Sequence, residues 1–167
     1  VSTIHAVSAA AALGLAVGGT AGVAVSGAGA VAYNEVLNST LAQLSNGDAS
    51  ATGNVSVTAT NTAAISSIVA AVSLAVGAGG TAGVGASIGI ALARNWIGYT
   101  DDAPNLRAET RASVLDASID AGGDVKVQAT AEQRIGALVL SGSAAIAGGG
   151  TAGVAASGSG VGANNRI

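Results

Sequence analysis

Apolar residues alternate with polar or very small ones along most of this chain. In Asp124-Val125-Lys126-Val127-Gln128-Ala129 every second residue is apolar, the pattern of a half-buried β-strand. Ala112 to Asp120 also reads as extended, with Ala121-Gly122-Gly123 as a turn. From Val84 to Arg94 the even positions carry the larger apolar residues, and the odd positions carry Gly, Ser and Ala. This is again a period of two, with one nearly flat face. Val154, Ala156, Gly158 and Gly160 repeat it more weakly. Ala63 to Val76 fits a helical stripe through Val69, Val72 and Val76, but Ile68, Ala70, Val72, Leu74 and Val76 fit a strand equally well. Glycine and β-branched content favours the strand, and so much glycine implies close approach of backbones.

These elements recur. Gly-Thr-Ala-Gly-Val occurs at Gly19–Val23, Gly80–Val84 and Gly150–Val154. Each copy is preceded at one distance by Ile4, Ile65 or Ile135 and followed at one distance by Asn34, Asn95 or Asn165. Thr20 and Thr81 are 61 residues apart, Thr81 and Thr151 are 70 apart. Gly53-Asn54-Val55-Ser56-Val57 matches Gly123-Asp124-Val125-Lys126-Val127, and Thr40, Ala42 and Leu44 match Thr110, Ala112 and Val114. The surplus therefore lies between Asn95 and Thr110. A repeat of this length decides the architecture. It divides the chain into modules 1–61, 62–131 with an inserted loop near 96–107, and a partial 132–167. The chain starts and stops inside strand patterns and has no Met, as expected of a segment of a longer protein.

The expected unit is a long strand, a Gly-Gly-Thr-Ala-Gly turn, a long return strand and a shorter strand pair. Gly19, Thr20, Gly22, Gly80, Thr81, Gly83, Gly150, Thr151 and Gly153 would form the hairpin tips, with Asn34, Asn95 and Asn165 as packing positions. A lone hairpin of this length is unstable in water, so neighbouring modules must cover it. The fold class is all-β: an elongated β-solenoid or stack of β-hairpin repeats.

Composition sharpens this picture. Half of the residues are hydrophobic, yet Phe, Met and Cys are absent and 26 are Gly. Packing must then come from small residues rather than from the Leu, Ile and Phe of ordinary cores. Without Cys there is neither a disulfide framework nor a thiolate metal site. A net charge of −3 with six Lys and Arg in all argues against a nucleic-acid partner. No charge falls between Asp48 and Arg94, or between Arg134 and Arg166. Such blocks are buried, lie in a membrane or pack against copies of themselves. Their length would suit spanning helices, and Gly14-x-x-x-Gly18-x-x-x-Gly22 and Gly85-x-x-x-Gly89 match a helix-packing pattern. Against a membrane stand the many Gly, Ala, Ser and Thr, the lack of flanking Lys or Arg clusters and the lack of an aromatic belt. A membrane partner is therefore not expected.

Candidate chemistry is sparse. His5 is the only histidine and has no triad or metal partners nearby in sequence. Asp101-Asp102 and the series Asp116, Asp120, Asp124 offer carboxylates that calcium prefers, but solvated turns explain them without a metal. Gly148-Gly149-Gly150 lacks the Lys of a phosphate loop. Asn38-Ser39-Thr40 and Asn54-Val55-Ser56 are formal glycosylation sequons. No nucleophile or acid–base constellation points to an enzyme. The insertion holds the only Trp, the only Pro and one of two Tyr. Trp96, Tyr99, Asp101 and Asp102 are the candidate binding residues, because insertions in repeats map to one face and exposed aromatics favour recognition. Alternatively, Trp96 and Tyr99 cap the local core.

Together, the Gly-(Asn/Asp)-Val-x-Val-x-Ala strand, the Ala/Val strand, the Gly-Gly-Thr-Ala-Gly-Val turn, the Asn and the Thr-x-Ala-x-(Leu/Val) strand form a recognisable module. It resembles the repeat regions of very large bacterial surface and secreted proteins, namely filamentous-haemagglutinin-like and leukotoxin-like autotransporter passengers and giant adhesins. The resemblance implies a secreted, cell-surface β-repeat used as stalk, fibre or adhesin, with no catalytic residues and no cofactor. The first expectation is a self-associating structural element with homotypic partners. The second is an adhesin module that touches a glycan or host surface through the insertion, and the third a membrane-active segment.

Overall fold

The computed structural model describes residues 1–103 and 105–167. Pro104, within the expected insertion, lies outside them. The described residues form ten strands and no helix. These are β1 (Ser2–Gly18), β2 (Ala21–Val36), β3 (Thr40–Ser45), β4 (Asp48–Ala51), β5 (Val55–Gly79), β6 (Ala82–Ile97), β7 (Thr110–Leu115), β8 (Ser118–Ala121), β9 (Val125–Gly149) and β10 (Ala152–Arg166). The ambiguous stretch from Ala63 to Val76 is strand throughout. It runs on from the Val55 strand without a break, in one element of 25 residues.

All pairing is parallel, and the strands lie in stacked sheets. One sheet has the order β1-β5-β9 and a second β10-β6-β2; β3 pairs with β7 and β4 with β8. The repeat sets the register. Ile4 lies beside Ile65 and Ile65 beside Ile135, while Asn34 and Asn165 flank Asn95. Thr40 meets Thr110, and Val55 meets Val125.

The expected hairpins are not formed. Strands joined by a Gly-Thr turn, such as β5 and β6, are not hydrogen-bonded to each other; each pairs with its counterparts in the neighbouring repeats. The turn carries the chain from one sheet to the other. Its backbone also joins the ladder: Thr81 N donates to Thr20 O at 2.9 Å and Thr151 N to Thr81 O at 2.9 Å. The physical reason is the repeat itself. In-register parallel pairing superposes the repeated residues, such as the Ile, Asn and Gly-Thr-Ala-Gly-Val positions, and it leaves one face of each strand to pack on the opposing sheet.

That inner face is built of small residues. In β2 the buried positions include Ala24, Ser26, Ala28, Ala30, Ala32, Asn34 and Val36. In β5 they include Ala59, Asn61, Ala63, Ile65, Ser67, Val69, Ala71, Ser73 and Ala75. One core cluster packs Val69 and Ala71 on Ala28, Ala30, Ala32, Ala91 and Ala93. Farther from the turns the sheets are held apart by larger side chains, Ile65, Val36 and Ile97 with Ile4 and Ile135. Near the turns there is room for no side chain at all. A Cβ on Gly77 would lie 2.0 Å from the carbonyl oxygen of Val84, and one on Gly83 would lie 2.2 Å from that of Gly148. These glycines serve backbone approach, whereas others, such as Gly29, meet nothing within 4 Å.

The outer faces carry the larger apolar residues. In β5 the outward positions above Ser67 are Ile68, Ala70, Val72, Leu74, Val76 and Ala78; in β6 they are Ala82, Val84, Ala86, Ile88, Ile90 and Leu92. Val7, Leu13 and Val25 are more than half exposed. The accessible surface is 9114 Å² for 15.4 kDa, against about 7,200 Å² for a compact globular monomer of that mass.

Candidate functional site

Three features recur or concentrate at defined levels of this stack: the turns, an asparagine ladder, and a cluster of aromatic and arginine side chains beside the insertion. Of the expected tip residues, Gly19, Thr20, Gly80, Thr81, Gly150 and Thr151 form the exposed turns at one end of the two long sheets. Gly22, Gly83 and Gly153 lie instead in β2, β6 and β10, where Gly22 and Gly83 are buried. The turns gather no titratable side chain.

Asn34, Asn95 and Asn165 stand in one row, because the register superposes them. Asn34 Nδ2 donates to Asn95 Oδ1 at 2.8 Å, and Asn95 Nδ2 donates to Asn165 Oδ1 at 2.9 Å. Asn95 is fully buried. A buried amide is tolerated where its donors and acceptor find partners, and the ladder supplies them from the neighbouring repeat. Asn61 is buried on the same principle, accepting from Asn38 Nδ2 at 2.8 Å. Closer to the turns, Ser73 Oγ lies 2.6 Å from Ser87 Oγ and donates to Ile88 O at 2.7 Å, while Ser141 Oγ donates to Gly89 O at 2.7 Å.

The cluster begins where the uncharged stretch of β6 ends. Arg94 lies between two rings, 4.9 Å from the centroid of Tyr33 and 4.3 Å from that of Trp96. Its guanidinium also donates to Glu35 Oε1 at 2.5 Å and to Asp101. Partial desolvation opposes its charge. The hydrogen bonds and attraction of Asp101 and Glu35 outweigh that, holding its pKa above the ordinary arginine value. Trp96 Nε1 donates to Asn164 Oδ1 at 2.9 Å, on the neighbouring strand. Gly98, at φ 83°, turns the chain out of β6 and donates to Val36 O at 2.8 Å. Ala108 N then closes the neck of the insertion on Gly98 O at 3.2 Å. Tyr99 faces two guanidinium groups, Arg166 at 3.8 Å and Arg107 at 4.8 Å.

Of the four candidate binding residues, Trp96 and Tyr99 are thus brought into one cluster, and Asp101 joins it through Arg94. Asp102 does not; it is exposed, and its backbone N–H turns back to Thr100 Oγ1 at 3.4 Å. The rings lie against guanidinium groups of the same chain, which ties the insertion to the sheet. A shallow cavity of about 290 Å³ lies beside them, lined by Tyr33, Leu92, Arg94 and Asn164 among others. Sequence reasoning missed Tyr33, Arg94 and Arg166. Tyr33 is 61 residues from Arg94's position in the ladder, and only the register reveals the contact.

No three of the His, Asp and Glu side chains gather into a metal-binding group among the described residues. Asp116 sits at a left-handed turn position, φ 47°, as does Asn46 at φ 52° in the preceding repeat. Ser118 Oγ donates to Asp48, and Asp124 N donates to Asn54 Oδ1 at 2.8 Å. These acidic positions serve turns and ladders. No helix among the described residues is long and apolar enough to cross a membrane. Comparison of the chain with protein-family models, with curated proteins and with solved structures finds no match.

Proposed function

We propose that this chain is a structural repeat segment of an exported bacterial rod, stalk or fibre, whose strands wind as an elongated β-solenoid. The observation that supports this most is the register: three copies of one module stack like on like, through backbone, asparagine and turn ladders alike. Repeat-to-repeat contact of this kind is additive, so an array grows by adding modules. Homotypic contact is its natural mode of association. Secretion and a place on the cell surface follow from the resemblance of the module, together with the absence of Cys.

An adhesin role for the insertion is the weaker reading, because guanidinium groups already lie against the Trp96 and Tyr99 rings. Electron micrographs and fibre diffraction of the purified chain test the proposal. Filaments with a reflection near ~4.8 Å along the stacking axis are expected. Compact globular particles without that order would overturn it.

A further inference from the structure

The outer faces of the two long sheets invert the usual arrangement of a water-soluble sandwich. From the level of Ser67 and Arg94 to the turns, every outward residue of β5 and β6 is apolar. The register places Val, Leu, Ile, Ala or Gly at the matching outward positions of β1, β9, β2 and β10, up to Tyr33 and Asn164 at the boundary. The serines of the same segments point inward. Ser67, Ser73 and Ser87 are buried, and the Ser73, Ser87 and Ser141 hydroxyls are hydrogen-bonded there. Serines placed inward among small apolar residues, with only aliphatic groups and glycine facing outward, suit a structure whose solvent is hydrocarbon.

Length and collar agree with this. Ser67 to Gly79 spans roughly 40 Å at ~3.3 Å per residue, and a bilayer core is about 30 Å thick. No charge enters that slab from any of the three repeats; Arg94, Arg134 and Arg166 all lie on its far side from the turns. All three aromatic residues of the chain, Tyr33, Trp96 and Tyr99, gather at that same level among Arg94, Arg107 and Arg166. Tyr and Trp are enriched where hydrocarbon meets headgroups.

We infer that the slab enters a lipid bilayer with the turns leading and the aromatic–arginine cluster at headgroup depth. A second copy stacked on one outer face is the competing occupant, but it would leave the other face equally bare, and it assigns no role to the cluster. The unpaired edges of β1, β2, β9 and β10 set a condition, because an open sheet edge is not tolerated in hydrocarbon. Inserted slabs must pair edge to edge with further repeats, of the same polypeptide or of another copy. This goes beyond the rod reading and does not depend on it.

The sole tryptophan is a built-in depth probe. The 167-residue chain is mixed with phosphatidylcholine–phosphatidylglycerol vesicles whose acyl chains carry bromine at shallow or deep positions. Trp96 should be quenched most by shallow bromine. In the double variant Trp96→Phe, Ile88→Trp, the new probe should be quenched most by deep bromine. Ile88 is outward and 54% exposed, so Ile88→Asp should fold, with an unchanged far-ultraviolet spectrum. It should lose vesicle partitioning by about tenfold or more. Equal quenching at both depths, or no partitioning at all, would overturn the inference. So would self-association that Ile88→Asp abolishes and vesicles do not compete with; that result would assign the faces to a second copy and leave the rod proposal standing.

Discussion

Asn95 illustrates how single residues hold this stack together. It is fully buried and joins its two counterparts by side-chain hydrogen bonds. Replacing it with Leu, which has the same branching but no polar atom, would strand the Asn34 donor and the Asn165 acceptor. Removing one partner from a buried polar pair costs about 1–3 kcal/mol, and urea unfolding of Asn95→Leu should show a loss of that size. The glycines divide into two classes. Gly83→Ala places a Cβ against the Gly148 carbonyl, where backbone must move; overpacking of this kind costs about 1–3 kcal/mol. Gly29→Ala meets nothing within 4 Å and should be neutral or stabilising by up to about 1 kcal/mol. Equal effects at the two positions would contradict the close approach of the sheets. Arg94→Gln should remove both cation–aromatic contacts and both ion pairs, shifting Trp96 emission to longer wavelength as the ring gains water.

At the scale of elements, the period of two was legible in β6 and at the start of β9, and so was the spacing that aligns Ile4 with Ile65 and Asn34 with Asn95; in β5 the stretch from Ala63 to Val76 fitted helix and strand alike, and only its glycine and β-branched content favoured the strand. What the sequence left open was the partner of each strand. A tight Gly-Gly-Thr turn between two apolar strands reads locally as a hairpin. A parallel ladder depends on residues 61 or 70 positions away, for which a single strand pattern carries no signal. The sense of the alternation was also hidden. From Val84 to Leu92 a default reading would bury the larger residues. The structure buries Ser87 and Ala91 and turns Ile88 and Ile90 outward, because only small side chains fit between sheets that approach backbone to backbone. β6 ends at Ile97 and β7 begins at Thr110, so Trp96 and Ile97, read from the sequence as part of the insertion, belong to the strand. The anchoring of the insertion was not legible, since Tyr33 and Arg166 reach it from other repeats.

At the scale of the whole molecule, charge and apolar surface are segregated along the strands. The turn-proximal half is small inside, aliphatic outside and uncharged, and the other half carries the charged residues and the insertion. Surface area well above that of a compact monomer is the expected consequence of two bare faces and open edges. Such a molecule should associate in water. Outward substitutions such as Val72→Asp or Ile88→Asp should raise its solubility while leaving its unfolding free energy within about 0.5 kcal/mol of the parent, as measured by sedimentation and denaturant titration.

The central claim is that in the uncharged half the small residues face in and the larger apolar residues face out. Single cysteines placed along β6, from Val84 to Ala93, test this most directly, through their reaction with a water-soluble thiol reagent under native conditions. Cysteines at Val84, Ile88, Ile90 and Leu92 should react readily, and those at Ser87, Ala91 and Ala93 should be protected, in strict alternation. Protection of the even positions with reaction at the odd ones, or a period near 3.6 residues, would contradict the account.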